Sequence, residues 1–242
     1  MGNTVRMEAR RIFSLPPLRI LVPLAVLAGT VAALFVIATE SSGDLETGAA
    51  TAALTGAGSA SLLPFVGLPV MLIGVVSVLE ETRYHLATVL LLVEPRRGRL
   101  ALARLVVLAA LSTAVGLTQT ALAFGAALAL GRPVPVGLIP SVLTHHLLAL
   151  ILLCWAGAAL GWLTSTAAIP AGLLLLDSLL VEPLFALAAA TYSPGAESLS
   201  GFLLFSAARD ATSGDPGGLV VATAYTLALL TAAAARIGTR DY

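Results

Sequence analysis

Apolar residues gather along this chain into runs close to the length that crosses a bilayer, whose hydrocarbon core takes ~20 helical residues. Six such runs stand out: Ile20–Ala38, Leu62–Leu79, Leu105–Leu130, Val136–Leu160, Thr166–Ala190 and Gly218–Ala235. Each predicts a membrane-spanning helix. Val36-Ile37-Ala38 resembles a signal-peptide cleavage site, but the first run exceeds the ~7–15 apolar residues of such a signal, so it is expected to stay as a span. Pro64, Gly67, Pro69 and Gly74 predict a kinked second span. Residues 39–60 are small and polar and are expected to form an outer loop. Leu199–Ala208 is apolar but too short to span.

The polar positions fall between the runs. Arg6, Arg10, Arg11 and Arg19 precede the first span. The densest charge lies between the second and third spans, from Glu80 to Arg104. Its first part, Glu80–Val93, sets Leu86, Val89, Leu90 and Val93 at helical spacing, with Glu81, Arg83 and His85 among its polar positions. Pro95 ends that helix, and Arg96-Arg97-Gly98-Arg99 forms a basic turn.

Composition supports a membrane protein. Of 242 residues, 58% are hydrophobic and 11% charged, against roughly 25% charged in soluble domains. Mean hydropathy is +0.99. So little charge excludes a soluble globular enzyme and a disordered chain. Net charge is zero, which excludes nucleic acid as a partner and leaves membrane lipid. Every cation is Arg. Without Lys there is no phosphate-binding P-loop, and the Ala, Leu and Arg usage points to a GC-rich, bacterial coding sequence. The single Cys154 cannot form an internal disulfide.

Arg placement orients the spans. Eleven of the 13 Arg (6, 10, 11, 19, 83, 96, 97, 99, 104, 236 and 240) fall on one side; Arg132 and Arg209 fall on the other. The positive-inside rule then puts both termini and the 80–104 segment in the cytoplasm. The expected fold class is an all-α polytopic membrane protein, a single transmembrane domain over 1–242 with six spans.

Polar side chains within spans are costly in lipid and normally face the bundle. Gln119 is mid-span between Thr118 and Thr120. An antiparallel pairing of the fourth and fifth spans brings His145 or His146 level with Glu182, with Asp177 deeper. These groups either lock helices together or select substrate on the translocation route.

The segment Leu79-Glu80-Glu81-Thr82-Arg83-Tyr84-His85-Leu86-Ala87-Thr88, with Leu90-Leu91, Glu94-Pro95-Arg96-Arg97 and Ala103-Arg104-Leu105, resembles the permease subunits of type-2 ABC exporters. Gly161-Trp162-Leu163, Ala167-Ala168-Ile169, Val181-Glu182-Pro183-Leu184 and the tail Arg236–Asp241 resemble the same family, and Met7-Glu8-Ala9-Arg10-Arg11 resembles its amphipathic N-terminal helix along the cytoplasmic face. The resemblance covers most of the chain at low identity. It departs at Arg104, where Lys is usual, and in the Arg83-Tyr84-His85 step. It implies two permease copies, either identical or paralogous, and two copies of a separate nucleotide-binding subunit. That subunit would hold ATP and Mg, and this chain would bind no cofactor or metal and catalyse nothing. Coupling would fall to Glu80, Glu81, Arg83, Tyr84, His85, Pro95, Arg96 and Arg97. The outer gate would be a re-entrant segment over 199–208 with Leu199, Phe202, Leu203 and Phe205. A mostly apolar pathway suggests a hydrophobic or amphipathic cargo: a drug, a lipid-like compound or a peptide.

Two other readings are weighed. An ion-coupled secondary transporter would use Asp177 and Glu182. An intramembrane protease would need Glu80, Glu81, Arg83 and the histidines to converge, yet His145 and His146 lie ~13 Å in from the opposite face.

Overall fold

The computed structural model describes residues 2–39, 47–56, 66–83, 97–132, 134–164, 166–192 and 201–239. Every regular element among them is helical. Of the expected coupling and gate residues, Tyr84, His85, Pro95, Arg96 and Leu199 lie outside this set.

The first described element is α1 (Gly2–Ser14), an amphipathic helix that buries Glu8 and Ile12. It continues into α2 (Leu18–Thr39). The next elements are α3 (Thr47–Thr55), α4 (Gly67–Arg83), α5 (Arg97–Ala129) and α6 (Ile139–Leu163), the last entered through a 3₁₀ turn at Val136–Leu138. The fifth run forms α7 (Ala168–Leu176), a π-helical turn (Asp177–Val181) and α8 (Glu182–Tyr192). The chain ends with α9 (Leu204–Thr212) and α10 (Pro216–Thr239).

Five helical stretches are long and apolar enough to cross a membrane: Leu18–Thr39, Gly98–Ala129, Val136–Leu163, Ala168–Phe185 and Pro216–Arg236. The protein is a multi-pass membrane protein. Ile20, Leu27, Val31 and Phe35 of α2 and Leu173, Leu176, Leu180 and Leu184 of the fifth crossing are exposed, as a lipid-facing surface requires.

Of the second run, 62–65 lie outside the described residues, and its helix α4 is apolar over Gly67–Leu79. A helix of that length rises ~20 Å, short of the ~30 Å core. Within the supposed outer loop, the Ala-rich segment 47–55 is helical instead and buries Ala49, Ala50, Ala52, Ala53 and Leu54 against Val36, Ile37, Ala127 and Val142. Alanine has the highest helix propensity, and its small side chain lets helices approach closely. α3 thus packs against α2, α5 and α6, while α4 packs chiefly against α6.

The centre of the bundle is the α4–α6 pair, which run in the same direction. Met71 lies at Gly157 and Val75 at Gly161. A Cβ at Gly74 would strike the Cys154 carbonyl oxygen, and one at Gly157 the Met71 carbonyl oxygen. Small residues let the two backbones touch, the usual source of helix adhesion in lipid. α10 packs on α6, and Arg236 donates to the Leu163 carbonyl at the same end as α1. That Arg-rich end is called the basic end below.

Candidate functional site

At the basic end, Glu8 on α1 is fully buried and Arg104 on α5 is 2% exposed. Arg104 Nη2 lies 3.4 Å from Glu8 Oε1, and Arg11 Nη2 lies 3.1 Å from Glu8 Oε2. Arg11 also donates to the Ser77 carbonyl of α4 at 3.1 Å. The Arg104 guanidinium sits 5.8 Å from the centroid of Trp162 on α6, within cation–π range. Trp155 donates its indole N–H to the Leu105 carbonyl at 2.9 Å. One carboxylate thus ties the surface helix to the ends of α4, α5 and α6. A buried charge needs such partners, and removing one leaves the others uncompensated.

This cluster borders the charged segment. Glu80, Glu81 and Arg83 occupy the last turn of α4, beyond Ser77, and Arg97 opens α5, two turns before Arg104. The sequence marked Arg104 as the cation entering the third span and Glu8 as part of an amphipathic helix. Their pairing across 96 residues was not legible, because it depends on where α1 docks. An acidic residue on the apolar side of α1 is the signal that would have found it.

In the interior, α3 ends at Gly56, which takes a left-handed conformation with φ of 68°. A Cβ there would crowd the Gly29 carbonyl of α2 at 2.8 Å and Gln119 Nε2 at 2.9 Å. The exposed end of a helix leaves carbonyls that need donors. Leu54 provides the acceptor: Gln119 Nε2 donates to its carbonyl at 3.4 Å, and Thr120 Oγ1 at 3.2 Å. Gln119 Oε1 faces His146 Nε2 at 3.0 Å. Thr118 turns outward and donates to its own helix at Ala114. His145 is half-buried, and its Nδ1 donates to the Ser141 carbonyl.

Neither histidine meets Glu182. Depth alone suggested that pairing, but α6 turns His146 toward α5, and Glu182 serves another helix. Its carboxylate accepts from the Phe205 N–H at 2.7 Å, the Ser206 N–H at 2.9 Å and the Ser206 hydroxyl at 3.0 Å. Glu182 is 1% exposed. An anion at a helix N-terminus satisfies orphan N–H groups and complements the helix dipole. Here the anion comes from a different crossing, and it anchors α9 inside the bundle.

Of the expected gate segment over 199–208, 199–200 lie outside the described residues, and the chain is helical at Leu204–Thr212. The apolar residues set its buried side, while Glu182 fixes where the helix begins. Phe205 is fully buried against the apolar side chains of α4, α6 and α7; Phe202 is exposed and Leu203 half-buried. Asp177 opens the π-helical turn, half-buried, with no hydrogen-bond or ion-pair partner among the described residues. A π turn shifts the face that later residues present. Pro170, Leu174, Ser178 and Glu182 are buried at spacings of four residues, leaving Asp177 off that stripe.

Comparison with protein-family models and with curated proteins gives no match.

Proposed function

We propose that this chain is the membrane-spanning permease subunit of an ATP-driven type-2 ABC exporter in a bacterial cytoplasmic membrane. The observation that carries this reading is the Glu8–Arg11–Arg104 cluster. It links a surface helix to the ends of α4 and α5, the two helices that flank the most charged segment of the chain. Force applied there by a soluble partner would reach both helices together. The absence of Lys supports an ATPase on a separate polypeptide, present in two copies with ATP and Mg. A second permease, identical or paralogous, would complete the pathway. The exported compound would be hydrophobic or amphipathic, and α9 would stand at the outer gate. In this reading the chain itself is not an enzyme.

The test is purification of the tagged protein from its native membrane in mild detergent, after crosslinking in the intact membrane, with the accompanying chains identified. A stoichiometric ATPase carrying a P-loop is the expected result. Its reproducible absence would sink the proposal.

One observation favours the second reading, an ion-coupled transporter: Asp177 is a carboxyl with no hydrogen-bond or ion-pair partner among the described residues, at a π turn in an apolar helical stretch. In that case the protein reconstituted alone would take up substrate under a pH gradient without ATP. Asp177→Asn would abolish that uptake.

A further inference from the structure

Two nine-residue helices, α3 and α9, approach each other around His146. The Gln119 amide is oriented by its donation to the Leu54 carbonyl, so the atom it turns to His146 is an oxygen. That oxygen can only accept, so His146 Nε2 carries its ring proton and Nδ1 presents a bare lone pair. His146 is 2% exposed, and Nδ1 is buried without a hydrogen-bond partner among the described residues. The Cδ2 edge of the ring lies toward α5, 3.7 Å from where a Cβ at Gly116 would stand. The Nδ1 edge, on the other side of the ring, is turned away from that helix.

A cavity of about 20 Å³ adjoins the ring. Its walls include Thr55 and Gly56 at the end of α3, Gly67 at the start of α4, and Ala208 and Thr212 of α9. The Thr55 and Thr212 hydroxyls each donate to a carbonyl of their own helix, at 2.8 and 2.6 Å. The cavity therefore offers acceptors, at the carbonyl end of α3. Among the described residues no carboxylate lines it, and Val66, Ala149, Leu150 and Leu153 make the rest of that wall apolar.

We propose that this cavity binds a single water molecule, which donates a hydrogen bond to His146 Nδ1 and joins the end of α3 to α9. A cavity of this size holds one water, and buried polar atoms without a protein partner normally bind one. A bare monovalent cation is disfavoured, because the apolar wall supplies neither a counter-charge nor a shell of oxygens. The proposal stands whichever transport reading holds.

The test is solid-state NMR of the full chain in lipid bilayers with ¹⁵N-labelled histidine. His85→Gln and His145→Gln together leave His146 as the single signal. The expected spectrum shows Nε2 protonated and Nδ1 unprotonated, with rapid magnetisation transfer from water protons to Nδ1. Ala149→Val narrows the cavity and should remove that transfer while Nε2 stays protonated. A ring that receives no water magnetisation in the otherwise unaltered chain would overturn the proposal, as would a protonated Nδ1. A His146 signal that saturates with added ammonium or sodium chloride would also overturn it, in favour of a bound cation.

Discussion

Glu182 and Glu8 are both buried carboxylates, and their partners set different consequences for losing them. Glu182 binds backbone N–H groups, so Glu182→Ala leaves orphan donors at the start of α9. Hydrogen bonds to a charged group contribute ~1.5–3 kcal/mol each in soluble proteins, though they are not additive. We expect Glu182→Ala to lower the thermal midpoint in detergent by several degrees, and Glu182→Gln, which keeps one acceptor oxygen, by less. Equal losses would mean that the cap contributes little. Glu8→Ala should cost more, ~3–5 kcal/mol, because it removes the buried carboxylate that Arg104 and Arg11 share. Limited proteolysis checks this: α1 should become cleavable in Glu8→Ala and stay protected in Glu8→Gln to a greater degree. The two carboxylates stood in the sequence; their partners did not, since neither Phe205 nor Arg104 is a helical neighbour of its glutamate.

Elements show the same division. α2, α5, α6 and α10 were legible because an unbroken apolar run of bilayer length has few alternatives. α3 was not, because an Ala-Gly-Thr segment reads as a polar loop until α2, α5 and α6 are seen around it. Its end is testable at Gly56, where φ is positive and a methyl group would meet the Gly29 carbonyl. Gly56→Ala should destabilise by at least ~1 kcal/mol. Gly157→Ala should cost ~1–3 kcal/mol by forcing α4 and α6 apart. Gly172→Ala, which meets nothing within 4 Å, is the control and should be neutral or stabilising in the same thermal assay. If all three behave alike, close α4–α6 contact is not what holds the bundle together.

At the scale of the whole molecule the open matter is orientation, and the single Cys154, fully buried, makes it accessible. In a Cys154→Ser background, cysteines placed one at a time at Asn3, Gly98, Gly131 and Gly214 report on the two ends of the bundle. A membrane-impermeant maleimide applied to intact cells should label Gly131→Cys and Gly214→Cys. Asn3→Cys and Gly98→Cys should react only after the membrane is opened. The reverse pattern would place the basic end outside and remove the site where a cytoplasmic ATPase would dock.

The sequence by itself determined the membrane class, the helical architecture, most of the crossings and the asymmetry of charge between the two ends. These follow from local composition: lipid accepts only long apolar helices, and Arg collects on one side. The tertiary structure decided that α3 is buried against α2, α5 and α6, that α1 is tied down by Glu8, that Glu182 caps α9, and that His146 turns to Gln119 rather than to Glu182. Each of these joins residues distant in the chain through the direction a helix face points. Periodicity shows that a helix has a polar position; only packing shows what that position meets.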